Sequence, residues 1–547
     1  MATPSTMVSA PAGASPADDI SPALLPVVAL LSSTLTYLTN WFNSIPGSPI
    51  LLRYIRSSYQ NDPWRSLLEV LLVAFALRTL LARRTRGEGE GKGLRLSEKE
   101  IDELVDDWQP VPLVGPMSDL EKRTLESVPV IYGQNGAHAR VAPGGKPVLN
   151  LAVYDWLGFV ENDEIKNVAI DTLHEYGVGS CGPMGFYGTI DVHTTFEQDV
   201  AEFLNVESAI IYAQGFSAVS SAIPAFAKRG DIIVADRGVN FAIHKGLQLA
   251  RCTVRWYAHG DMKDLERVLA SVDREIRRKG GRLTRRFIVT EGIFENDGMM
   301  SDLPKICELK KKYKYRLVLD ESMSFGMVGA HGRGLTEHYG VPAEEVEILI
   351  GSMANALGAG GGFCAGSQHV TAHQRINSGA SVFSAAIPAM HATVSSAAVK
   401  MMQSQPYLLT NLRANVLTFR QQLVKLEPSP NLIAPSSPNG GAETPFTNNK
   451  DALISIPSHP DSGLIHIFLV NPPDTLEEEE NVLQEIVDEC LANGVIITRA
   501  RRLRGQESVE PEPSLKVCVS AMFSRKETEK AGKTLRDAIV KVCSKRR

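Results

Sequence analysis

The chain has no Cys-x-x-Cys pair, no basic stripe interleaved with aromatics, and no lysine between Lys314 and Lys400. Each absence excludes something. The seven cysteines, at 181, 252, 307, 364, 490, 518 and 543, are scattered and odd in number, the pattern of reduced thiols facing the cytosol rather than of a disulfide framework. No histidine or cysteine cluster has metal-ligand spacing, so no metal is expected. A formal net charge of -5 with both signs interspersed argues against nucleic acid as a partner. Charge is also missing from Ile20 to Leu52, and there the sequence changes in kind.

That region holds two apolar runs, "ALLPVVALLSSTLTYLTNWF" (23–42) and "SLLEVLLVAFALRTLLA" (66–82), the second stopped by "RRTRGEGEGKG". About 17 residues at 1.5 Å each reach roughly 25 Å, near the lower limit for a bilayer. The late start, the missing basic n-region and the second run argue against a cleaved signal peptide. A buried core helix is one remaining reading, and a membrane anchor is the favoured one. Arg83, Arg84 and Arg86 then mark the cytoplasmic flank of 66–82 and leave the rest of the chain in the cytosol. The 23–42 run either spans or lies in the interface, so the number of spans stays open.

At 547 residues and 44% hydrophobic, the chain is long enough for two or three packed units plus extras. "SEKEIDELVDDW" (97–108) reads as a capped helix, with Ser97 as N-cap and Glu100 completing the box. Short β-rich runs then alternate with helical patterns: "SAIIYA", "DIIVAD", "TVRWYA", "RFIVTEG", "YRLVLDE" and "VEILIGS". Such alternation implies an α/β fold whose mostly parallel sheet is covered on both faces. A helical stretch from about 384 leads into a smaller α/β unit containing "LIHIFLV", "GVIITRA" and "SLKVCVSA", with a loop by composition at 434–450. The expected organisation is an anchor and linker at 1–95, a large domain at 96–400 and a small α/β domain at 401–547.

Ligands gather at the carboxyl ends of parallel strands. Three such ends carry "IVTEGIFENDG", "LVLDESMSFGMVG" and "EILIGSMANALGAGGG", and the glycine-rich "GVGSCGPMGFYG" lies upstream. Together these blocks resemble, over roughly 100–540, the α-oxoamine synthases. These are fold type I transferases that use pyridoxal 5'-phosphate (PLP) to condense an amino acid with an acyl-CoA. The resemblance implies a Schiff-base lysine, an aspartate paired with the pyridinium nitrogen, and two histidines at the ring. Asp320 occupies the aspartate position. The others are replaced: Asn355 stands at the lysine position, Met323 at the histidine of the Asp-Glu-Ala-His block, and Phe241 at the stacking histidine. More loosely, Ser514 and Phe523 fall on the substrate arginine and a later histidine.

No catalytic residue is therefore expected in this chain, and no cofactor held by it alone. The pattern is similar to the lysine-less subunits of serine palmitoyltransferases. That resemblance implies PLP bound covalently by a lysine-bearing second subunit, small regulatory or activating membrane subunits, and an endoplasmic reticulum membrane location. It also implies that Cys181, Gly182, Gly185, Phe186 and Tyr187 form a loop facing the partner's site. The alternative for those glycines is a tight turn needing positive φ. His244, His331 and His338 are read as ordinary polar or turn residues, and Gly358–Gly362 as close backbone packing rather than a phosphate loop. Two rival functions stay open: a membrane-tethered regulatory pseudoenzyme that completes no active site, and an enzyme using PLP through another lysine.

Overall fold

The computed structural model describes residues 36–81, 96–278, 284–428 and 452–546, apart from a few single positions within them. Most of the 23–42 run and the 434–450 loop lie outside the described residues. The chain divides into two compact units, 1–115 and 116–547.

In the first unit, α1 (Ser48–Asn61) and α2 (Pro63–Leu81) are followed by α3 (Glu98–Asp107). In α2, Leu68, Val70, Leu71, Val73 and Phe75 are each more than half exposed. Even so, among the described residues no helix is long and apolar enough to cross a membrane. α3 begins on the box its sequence encodes, with Ser97 N–H donating to Glu100 Oε2 at 2.7 Å and Glu100 N–H donating back to Ser97 Oγ at 3.3 Å.

The second unit is built on a seven-stranded sheet. Its strands are β1 (Ser208–Tyr212), β2 (Ile232–Asp236), β3 (Thr253–Tyr257), β4 (Arg286–Glu291), β5 (Arg316–Asp320), β6 (Ile348–Ser352) and β7 (Gly362–Gly366), in the spatial order β1-β7-β6-β5-β4-β2-β3. β2 to β6 pair in parallel, and β7 runs antiparallel to both its neighbours, so the sheet is mixed. The strand sequences read as continuous apolar runs because both faces are covered. On one face Ile210, Ile233, Phe287, Val289 and Ile350 pack against α4 (Gly215–Phe226) and α5 (Phe241–Ala250). On the other, Ile211, Val234, Ile288, Leu319 and Leu349 join the main core. α6 (Met262–Arg278) shows the surface-helix pattern, burying Leu265, Val268, Leu269 and Val272 at i, i+3, i+4 and i+7.

After α7 (Met353–Ala356), α8 (Ala389–Ser404) and α9 (Tyr407–Leu423) comes a four-stranded antiparallel sheet. It contains β8 (Ile454–Ser455), β9 (Leu464–Leu469), β10 (Thr498–Arg499) and β11 (Leu515–Cys518), in the order β8-β9-β11-β10. The β9–β11 register sets His466 opposite Lys516.

Candidate functional site

The carboxyl ends of β4, β5 and β6 converge, as a parallel sheet requires. Asp320 ends β5 and Glu291 ends β4, and each is almost fully buried. One asparagine joins them: the Asn240 side-chain amide donates to Asp320 Oδ2 at 2.9 Å, and its backbone N–H donates to Glu291 Oε1 at 2.6 Å. Asn240 is also the N-cap of α5, accepting the Ile243 N–H at 3.0 Å. Ser322 N–H donates to Asp320 Oδ1 at 3.0 Å, and Glu295 N–H donates to Glu291 Oε2 at 3.0 Å. Burial is the main influence on both acids. It lifts Asp320 above the usual carboxylate range and, reinforced by the Asp320 charge, lifts Glu291 well above it.

Asn355 lies in α7 and is 8% exposed. Its amide donates to the Ser322 carbonyl at 2.8 Å and contacts Met323 Sδ at 3.5 Å, so two of the replaced positions touch each other. Phe241 opens α5, with its ring 6.1 Å from that of Phe216 and the Lys245 ammonium 4.6 Å from its centroid. These residues do not fit a covalently held PLP. Asn355 supplies no amine, its amide is bound to backbone, and Asp320 already meets the amide donors Asn240 and Ser322 rather than a cation.

The glycine run is packed backbone against backbone. A Cβ on Gly362 would lie 2.8 Å from Gly215 Cα, and one on Gly361, at φ +116°, would lie 2.8 Å from the Tyr212 carbonyl oxygen. That seats the start of α4 directly on β7.

The Cys181 loop is fixed from behind. Ser180 Oγ donates to the Ala386 carbonyl at 2.6 Å, Ala386 N–H donates to the Gly182 carbonyl at 2.8 Å, and Pro183 bridges to Ala385. The left-handed residues are not the glycines but Cys181 (φ +57°) and Tyr187 (φ +63°). Gly182 and Gly188 are needed for space, since a Cβ on Gly188 would overlap the Gly182 carbonyl, whereas one on Gly185 would meet nothing within 4 Å. Cys181, Phe186 and Tyr187 are exposed, with Phe186 at 72%. Val178 and Phe383, which the sequence did not single out, are exposed to a similar degree.

The three histidines set aside have other partners. His244 is buried and stacks on Trp256 at 5.1 Å, His331 pairs with Glu337 at 2.5 Å, and His338 packs on Tyr339. Sequence reasoning missed His259, whose ring bridges Asp236 (2.6 Å) and Asp297 (2.7 Å) and so ties β2 to the segment after β4. Burial opposes its charge, but the two acids outweigh it and raise the imidazole to about 10. It also missed His466, which meets Ser514 Oγ at 2.9 Å. Burial, reinforced by Lys516, pushes that ring down to about 3. The Ser514 position therefore holds a neutral buried pair, while Lys516 reaches Glu295 at 3.4 Å and lies over the Tyr154 ring at 4.7 Å. Phe523 is buried and edge-on to His138. Among the described residues no group of His, Cys, Asp or Glu could hold a metal ion.

Residues 146–535 match the family described as "Aminotransferase class I and II". Serine palmitoyltransferase 1 of Saccharomyces cerevisiae is 35% identical over 96% of this chain and 98% of its own length. Serine palmitoyltransferase 1 of Dictyostelium discoideum is 37% identical over 78% of this chain and 85% of its own. Long chain base biosynthesis protein 1c of Oryza sativa subsp. japonica is 44% identical over 62% of this chain and 70% of its own. Among solved structures, a Sphingomonas wittichii serine palmitoyltransferase aligns over 78% of this chain and 96% of its own, with a TM-score of 0.64 at 20% identity. A Francisella tularensis 8-amino-7-oxononanoate synthase aligns over 73% of this chain and 99% of its own, at 0.55 and 18%. At those identities the solved structures speak to the fold.

Proposed function

The chain belongs to the class I and II aminotransferase family and, within it, to the serine palmitoyltransferase 1 group; from that premise we propose that it is the subunit that completes the enzyme without holding its cofactor. Serine palmitoyltransferase condenses L-serine with palmitoyl-CoA to 3-oxosphinganine, and this chain serves in that sphingolipid-forming enzyme. PLP belongs to the chemistry of the family. In this reading a lysine-bearing second subunit binds it covalently, and there it supplies the electron sink for the condensation.

The observation that carries the reading is Asn355. The strand, the short helix and the glycine packing around it are intact, while its amide is bound to the Ser322 carbonyl. What the chain contributes lies outward. The bonds from the Ser180 hydroxyl to the Ala386 carbonyl and from the Ala386 N–H to the Gly182 carbonyl hold the Cys181 loop in one shape, so Phe186 and Tyr187 meet the partner without first being ordered. Their apolar area excludes water from the mouth of the partner's pocket, and Cys181 leaves room beside it. The same proposal places α2 in the endoplasmic reticulum membrane, supported by its exposed Leu and Val side chains and by the arginines that follow in sequence. The globular unit then stands in the cytosol, and small regulatory membrane subunits dock near the anchor.

The test is to purify the chain alone and with a lysine-bearing serine palmitoyltransferase subunit, then record bound-PLP absorbance and condensation activity. Both are expected only from the pair. Absorbance from the chain alone would overturn the reading, and so would full activity of the second subunit without this chain. For the anchor, flotation with phosphatidylcholine vesicles is expected for the intact chain and lost in Leu71→Glu/Val73→Glu; flotation unchanged by that pair of charges would refute it.

A further inference from the structure

Helix α3 is short, well capped and unburied. No residue in Glu98–Asp107 is buried. Its apolar residues nevertheless fall at i, i+3, i+4 and i+7: Ile101, Leu104, Val105 and Trp108 form one stripe, exposed by 41%, 56%, 65% and 68%. An isolated helix of about ten residues is marginal in water, and helices of this length are normally completed by burying such a stripe. The remaining faces are acidic. Residues 97–108 carry six carboxylates against the single Lys99, a net of -5 that equals the formal net charge of the whole chain. The other 535 residues are therefore balanced, and this helix holds the excess.

That combination selects the occupant. A lipid surface is disfavoured, because the cytoplasmic leaflet is anionic and the flanks of the stripe are too. Nucleic acid is repelled for the same reason. No metal cluster is present among the described residues, so the carboxylates are not a cation cage. What fits is helix-in-groove recognition by a protein whose apolar groove is rimmed with lysine and arginine. Reach limits where the groove can lie, since the eleven residues from Trp108 to Ser118 span at most about 40 Å when extended.

We propose that the Ile101–Trp108 stripe of α3 docks in a basic-rimmed apolar groove on the lysine-bearing second subunit. This rests on the two-subunit reading above, and adds to the Cys181 loop a second, charge-guided contact.

The experiment uses the intact complex of the full-length chain with the second subunit. A photo-crosslinking amino acid is placed at Leu104, on the stripe, and at Glu103, on the opposite face. The expected result is a crosslink from position 104 to the second subunit, adjacent to lysines or arginines, and none from 103. Leu104→Asp with Trp108→Ala is expected to lower recovery of the second subunit about tenfold or more, with the thermal melt of the globular unit unchanged. Glu100→Lys with Asp107→Lys is expected to weaken recovery chiefly at low salt, and reversing the crosslinked basic residues restores it. The proposal is overturned by a crosslink from 104 to lipid, to a second copy or to residues 116–547 of the same chain, or by recovery that the stripe variant does not change. If the pair assembles and is active while 104 crosslinks elsewhere, only this inference falls. If the pair does not assemble at all, the two-subunit reading falls with it.

Discussion

Replacing Glu321 by glutamine isolates the cost of one buried carboxylate at the end of β5. Glu321 is fully buried, and its carboxylate accepts the Leu335 N–H at 3.0 and 3.2 Å as well as the Ser324 hydroxyl. Gly292 and Gly334 crowd it so closely that a Cβ on either would come within 2.7 Å of a carboxylate oxygen. Burial outweighs those donors and raises the acid from 4.5 to about 7. Because the folded value lies above the unfolded one, the stability linked to this group is fully present below the unfolded value. It is lost as pH rises through about 7. At about 1.4 kcal/mol per unit, the loss at pH 8 approaches roughly 3 kcal/mol. Glutamine keeps an acceptor for the Leu335 N–H and can donate to Ser324 Oγ, but forfeits the charge-assisted part of those bonds, so a net gain of about 1–2 kcal/mol is expected. The assay is urea unfolding of wild type and Glu321→Gln from pH 5 to pH 8.5. Other raised acids such as Glu427 and Asp155 titrate in both proteins and cancel in the difference. A difference that stays flat with pH, or a variant less stable at pH 8, refutes the reasoning.

His259→Asn should cost on the order of 2–4 kcal/mol at pH 7, because it leaves Asp236 and Asp297 facing each other without the cation between them. With the folded histidine raised to about 10, that stability is complete below about 6.5 and fades as pH rises toward 10, so the gap between the two proteins in thermal melts narrows with alkali. Gly334→Ala places a Cβ at φ +87° and 2.5 Å from Glu321 Oε2; about 2 kcal/mol or more of lost stability in denaturant titration is expected, and a neutral result would contradict the crowding. Cys181→Trp should leave the unfolding midpoint of the isolated chain nearly unchanged, since Cys181 is exposed, while turnover or serine selectivity of the two-subunit enzyme changes. If both stay as in wild type, the loop has no place at the partner's site.

Much of the large sheet was legible because buried parallel strands are written as apolar runs. "DIIVAD" and "YRLVLDE" match the strands Ile232–Asp236 and Arg316–Asp320 to within a residue or two. The strand Gly362–Gly366 was not legible, since its glycines read as a loop and only pairing with Ile348–Ser352 and Ser208–Tyr212 makes it extended. At the site, Asp320 and Asn355 could be named from strand ends. Their neighbours could not: Asn240 reaches Asp320 across 80 positions, and His466 reaches Ser514 only through the β9–β11 register. His259 left no signal, because a lone histidine after a strand says nothing of the two acids that will face it.

On the proposed reading, the position of Asn240 explains how such a site persists without holding the cofactor. In a PLP enzyme a cation at the ring nitrogen offsets the buried aspartate, and removing it would strand a charge in the core. Here one asparagine caps α5, donates its side chain to Asp320 and donates its backbone to Glu291, so three polar demands are met within the chain. Burial raises both acids above their ordinary values, which eases the remaining charge. The apolar groups left uncovered at the surface include Phe186, Tyr187 and Phe383 by the ordered loop, and the apolar, acid-flanked stripe on α3. On the proposed reading the chain contributes through those surfaces, which is why Cys181→Trp, and Leu104→Asp with Trp108→Ala, are expected to alter the complex while leaving this chain folded.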